Sequence, residues 1–322
     1  METTTKRIFF LFGLLTLLVA ASCNSKQKIS QNQISGDLII FHAGSLSVPF
    51  KAMADSFALK YPEVTIKSES AGSLASIRKI TDLNRNCDIL ASADYSLIDK
   101  LMIPEHASWN MKFAGNEMAL VYRPQSRKSS EINKDNWYNL LLLPEIAYGR
   151  SDPNTDPCGY RTILTLKLAE QYYNHPGLTH KFLGKDERYI RPKEVDLLAL
   201  LESGTLDYIF IYKSVAIQHK LPFLTLPDSI NLKNPSLADF YHTVSTDVAG
   251  NKPGETIHQK GEAMVYGLTI PKNSKNLPAA KAFIRFIIHE GKNIMKKMGQ
   301  TTLDPPVVTH PEMLPDELKE LD

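Results

Sequence analysis

The chain has 322 residues, of which 43% are hydrophobic and 22% charged, with a formal net charge of +2. That length exceeds one ordinary domain and fits two lobes of roughly 100 to 150 residues in a soluble globular protein. The nearly balanced charge leaves no basic field of the kind that nucleic acid requires.

Residues 1–22 read as a signal peptide. Lys6-Arg7 is followed by an apolar-rich run, Ile8 to Ala21, too short to span a bilayer comfortably. Val19-Ala20-Ala21-Ser22-Cys23 resembles a bacterial lipoprotein processing box, so Cys23 is the expected lipidation site, and the polar residues 23–36 a flexible tether.

From Asp37 onward, short apolar runs alternate with helical patterns, the signature of an α/β protein with a mostly parallel sheet covered on both faces. Strands are predicted over Leu38–Phe41, Val64–Ser68 and Asp88–Ala91, and helices over Pro49–Tyr61, Leu74–Asn84 and Tyr95–Leu101. After Gly115-Asn116 the chain is expected to cross into a second lobe. There Met118–Tyr122, Glu145–Tyr148, Asp207–Tyr212 and Pro222–Leu226 read as strands, and Asn136–Leu142, Tyr160–Tyr173, Val195–Ser203 and Ser214–His219 as helices. Met264–Ile270 is a strand that returns the chain, and helices at Ala279–His289 and Lys292–Met298 complete the first lobe. The expected division is residues 37–117 with 268–322 for lobe 1 and 118–267 for lobe 2, two hinge crossings with a cleft between.

Four loops point toward that cleft, because ligands of open α/β sheets bind beyond the carboxyl ends of the strands. The first, Ala43-Gly44-Ser45-Leu46-Ser47, is a strand-to-helix junction with glycine for close approach, two hydroxyls and a helix N-terminus, which together make an anion site. Ser47, just ahead of Pro49, reads as a helix-start residue, leaving Ser45 as the ligand candidate. Ala71-Gly72-Ser73 repeats the design. Ser92-Ala93-Asp94-Tyr95 adds the N–H of Ala93, with Asp94 as a helix cap. The loop Ser151 to Arg161 carries two prolines and two aspartates, Asp152 and Asp156, whose plainer role is capping. Each serine taken alone is most simply a cap; two glycine-serine junctions in one lobe favour a shared anion.

Enzymatic readings fit less well. AGSLS lacks the G-x-S-x-G elbow of an α/β-hydrolase, His42 sits at a strand end, and Cys158 has only Arg161 as a basic neighbour. The carboxylates show no metal-binding spacing, and Cys87 and Cys158 read as two buried thiols, with a disulfide between them in an oxidising compartment as the alternative.

The stretches FHAGSLSVPF, AGSLASIRKITDL, DILASADYSLI, NWYNLLL, SDPNTDPCGYR, LKLAEQYY, YKSVAIQH and VYGLTIPKN, spread over nearly the whole mature chain, resemble the molybdate/tungstate-binding proteins of ABC importers, especially the archaeal type. The resemblance implies a two-lobed, type II periplasmic-binding-protein fold closing on a tetrahedral oxyanion, with an ABC permease as partner. It also implies a monomer, no enzymatic activity and no cofactor besides bound molybdate or tungstate. By motif, Ser45 and Ser73 would donate hydroxyl and backbone hydrogen bonds, Ala93, Cys158 and Val195 backbone N–H groups, and Tyr212 its phenol. Relatives that hold the metal in six-fold coordination add two carboxylates, one matching Asp156 and one just before the tyrosine of the YKS motif. Here that second position is Ile211, so four-coordinate binding is expected, with Asp156 close by. A receptor for sulfate or another tetrahedral oxyanion, and a secreted hydrolase, are the alternatives.

Overall fold

The structure, a computed structural model, describes residues 34–250 and 254–319. The expected signal peptide, Cys23 and most of the tether lie outside the described residues.

Two mixed α/β halves are built on separate sheets. In the first, β1 (Gly36–Ala43) pairs in parallel with β2 (Val64–Ala71) and β3 (Ile89–Ser92). Three more strands, β4 (Asn110–Gly115), β12 (Val265–Thr269) and β13 (Thr301–Thr309), join antiparallel, giving the order β13-β4-β12-β3-β1-β2. In the second, β5 (Met118–Tyr122) runs antiparallel to β8 (Tyr208–Tyr212) and β9 (Phe223–Thr225). Its other members, β6 (Tyr148–Ser151) and β7 (Ile190–Arg191), are parallel partners. Each sheet is therefore mixed, which corrects the expectation of a mostly parallel one. The antiparallel strands are those at and after the crossings, where the chain changes sheet and direction.

The first crossing is the step from Gly115 to Met118. The second follows the hairpin of β10 (Ser245–Ala249) and β11 (Thr256–Lys260) and enters β12, which pairs with β4 from Val265, ahead of residue 268 where the sequence returned the chain. The crossings lie side by side, with Asn116 N–H donating to the Met264 carbonyl (3.3 Å).

Helices cover the sheets where apolar residues recur at helical spacing. On the first sheet, α1 (Ser47–Ala58), α2 (Ser73–Thr81), α3 (Tyr95–Leu101), α10 (Leu277–Phe286) and α11 (Lys292–Lys297) surround an aromatic core in which Phe57 meets Phe283 and Phe286 edge-on. On the second, α4 (Trp137–Leu140), α5 (Pro157–Tyr172), α6 (Leu178–Leu183), α7 (Asp196–Glu202) and α8 (Lys213–Gln218) pack around Trp137, Phe182 and Phe210. A short α9 (Ala238–Tyr241) precedes the hairpin. Among the described residues no helix is long and apolar enough to cross a membrane.

Candidate functional site

Ser45 lies in a short turn between β1 and α1 and is fully buried. Its Oγ accepts from the Tyr266 hydroxyl (2.9 Å), which in turn accepts from Asn116 Nδ2 (2.7 Å). Ser47 does not cap its helix as expected: α1 begins at Ser47 itself, and the hydroxyl donates to Ser70 Oγ on β2. Ser73, at the first position of α2, has its Oγ occupied by the Ala93 N–H (2.9 Å). The Ala93 amide predicted to face the ligand therefore points at Ser73. Asp94 caps α3 as expected, Oδ1 accepting from Ser96 N–H (2.8 Å).

From the second half, Tyr212 ends β8 and is buried. Arg161 Nη1 donates to its hydroxyl (3.2 Å) and, across the cleft, to the Ala93 carbonyl (2.7 Å). Bonds thus run from Ser73 through Ala93 and Arg161 to Tyr212, whose ring centroid is 6.5 Å from that of Tyr266, the donor to Ser45. The three hydroxyls named from sequence belong to two hydrogen-bond networks, Asn116–Tyr266–Ser45 and Ser73–Ala93–Arg161–Tyr212, which approach each other through the Tyr212 and Tyr266 rings. Each accepts a bond from a donor of the chain, and a hydroxyl that accepts one bond keeps its own proton free to donate elsewhere.

Asp156 caps α5, with Oδ1 accepting from the Cys158 N–H (3.2 Å), so that amide is spent locally. Its Oδ2 accepts from the Glu194 N–H (2.8 Å). Val195 precedes α7, and its N–H has no acceptor among the described residues. Sequence reasoning missed Glu194. The residue is 1% exposed, neither carboxylate oxygen meets a donor at full hydrogen-bond geometry among the described residues, and the group lies against the Gly44 turn, where a Cβ would come within 2.8 Å of Oε2. Burial pushes its carboxyl well above the usual range, and Asp156 adds to the effect; burial likewise raises Asp156. The expectation of a single nearby carboxylate is corrected: Ile211 is apolar core in β8, and the second acid is Glu194, two residues ahead of α7.

The thiols behave as core. Cys87 and Cys158 are free, and burial pushes Cys87 up to about 12 and Cys158 well above its ordinary value. His42 packs its ring 5.5 Å from Phe50 and hydrogen-bonds the Ala43 carbonyl, with burial lowering its pKa. No bond in the structure joins a histidine to Ser45 or Cys158 among the described residues.

The family model of the bacterial extracellular solute-binding proteins matches residues 38–301. A solute-binding protein of Petrotoga mobilis is 50% identical, covering 97% of this chain and 94% of its own. The molybdate/tungstate-binding protein WtpA of Pyrococcus abyssi is 41% identical, covering 96% of each chain. Among solved structures, the periplasmic molybdate-binding protein of Azotobacter vinelandii superposes with a TM-score of 0.61 at 17% identity, over 82% of this chain and 98% of that one, and shares the two-lobed fold. The chain belongs to the bacterial extracellular solute-binding protein family.

Proposed function

We propose that this chain captures molybdate or tungstate outside the cytoplasmic membrane and presents it to the permease of an ABC importer. The observation that carries the reading is the set of three buried hydroxyls, Ser45, Ser73 and Tyr212, drawn from both lobes, each held as an acceptor by the chain so that its own proton remains for an oxyanion. The Pyrococcus abyssi relative, similar over nearly its full length, bears the corresponding name.

Asp156 and Glu194 sharpen the choice of anion. When ionised, two buried carboxylates repel sulfate, which has no proton to offer them and whose central atom takes no further oxygen ligands. A molybdenum or tungsten centre can accept carboxylate oxygens beside its own oxo groups, so the ionised pair would serve as a coordinating clamp, which favours six-fold over four-fold coordination. Cys158 and Val195 shape this side of the cleft, Val195 with an amide left for the ligand. The protein acts as a monomer without enzymatic turnover or further cofactor. It is tethered by lipid on Cys23 after removal of residues 1–22, with no part for nucleic acid.

Calorimetric titration with molybdate, tungstate, sulfate and phosphate tests the proposal. Tight binding of the first two and weak or no binding of the last two is the expected result; binding of sulfate alone, or of none, overturns it.

A further inference from the structure

Arg161 touches three groups drawn from both lobes, Tyr212, Ala93 and Asp94, and the binding reading gives it no role. It projects from α5 of the second lobe and is 4% exposed. One nitrogen serves both the Tyr212 hydroxyl of its own lobe (3.2 Å) and the Ala93 carbonyl of the other (2.7 Å). The second terminal nitrogen lies 3.5 Å from Asp94 Oδ2, again on the first lobe, and that same oxygen accepts from the Tyr160 hydroxyl. Ala93 and Asp94 flank Ser73 through the amide that Ser73 Oγ accepts. The guanidinium therefore ties the phenol of one lobe to the loop that orients a serine of the other.

We propose that Arg161 is a positioning residue that fixes the Tyr212 hydroxyl as a donor to the oxyanion only when the lobes have closed. By donating to the phenol oxygen it fills one acceptor direction and leaves the phenolic proton aimed away from itself. Its grip on the first lobe exists only where Ala93 and Asp94 meet it, so hydroxyl orientation and closure are set by the same side chain. A planar fork reaches several acceptors at once; a lysine ammonium on a flexible stem does not hold them in one geometry. Burial opposes the charge, but Tyr212, Asp94 and Tyr160 outweigh it and keep the group protonated.

The inference rests on the oxyanion reading and is tested with molybdate by calorimetry on the wild type, Arg161→Gln, Tyr212→Phe and the double variant, each checked for ligand-free melting. Arg161→Gln and Tyr212→Phe are each expected to weaken molybdate about tenfold, and the double variant no more than the weaker single, because both remove one device. Arg161→Lys is expected to recover only part of the loss, and it carries the comparison with Tyr212→Phe should Arg161→Gln fail to fold. Additive losses in the double variant, or unchanged affinity on replacing Arg161, overturn the inference while leaving the oxyanion reading intact. A wild type that binds none of the oxyanions overturns both.

Discussion

Replacing Ser45 or Ser73 with alanine removes one donor to a charged ligand and strands the buried group that served it, the Tyr266 hydroxyl in one case and the Ala93 amide in the other. Each change is expected to weaken molybdate by about 1 to 3 kcal/mol in calorimetric titration. Unchanged affinity in both variants would place the ligand elsewhere. The capping role of Asp94 was legible from an aspartate just ahead of a helix, and Ser45 and Ser73 stood out only as a pair, because two glycine-serine junctions follow buried strands of one lobe where either alone would read as a cap. Glu194 was not, since Pro-Lys-Glu-Val-Asp ahead of a helix reads as the ordinary acidic first turn that a helix dipole favours. Only the tertiary fold, which lays Glu194 beside Asp156 and under Gly44, makes it a cleft residue.

At the level of elements, the junction between β2 and α2 is as tight as backbone allows. A methyl group on Gly72 would collide with the Thr155 carbonyl oxygen of the opposite lobe, where Ala75 N–H also reaches (3.4 Å). Gly72→Ala is therefore expected to leave ligand-free melting nearly unchanged, because the open form has room, while weakening molybdate by about 1 to 3 kcal/mol through overpacking of the closed form. Equal losses in melting and affinity would assign the clash to folding instead. The start of α5 was readable from Asp156-Pro157, a cap followed by proline at the first helical position, although the predicted helix began at Tyr160. The last strand was not readable: β13 contains Pro305 and Pro306, which sit where its register with β4 shifts between Thr302 and Val307. An edge strand with such an interruption tolerates proline, but from sequence alone it reads as a turn. The β10–β11 hairpin was missed for a related reason, being too polar to show an apolar face.

Across the whole molecule, closure brings Gly44 of one lobe against Glu194 of the other and buries Asp156 beside it. Both carboxyls are raised in the closed form, so that form holds protons the open form gives up. Closure without ligand is therefore favoured below the ordinary carboxylate range of about 4 to 4.5, and this advantage is lost as pH rises through the higher closed-form values. Interlobe energy transfer on ligand-free protein should report compaction as pH falls from 7 toward 4, and Glu194→Gln should flatten the change. A wild type whose interlobe distance ignores pH would refute the linkage. The paired crossings have a further mechanical meaning. Asn116 lies at the pivot and bonds Tyr266, the partner of Ser45, as well as Ser214 of the second lobe (2.7 Å). Rotation about a pivot displaces near points least, so Ser45, bonded through Tyr266 to Asn116, would be the steadier jaw, and the Gly72–Thr155 contact between the lobes the edge that parts. An incoming anion would thus meet one jaw already set, and the rate of its capture would be governed by how often the far edge swings shut.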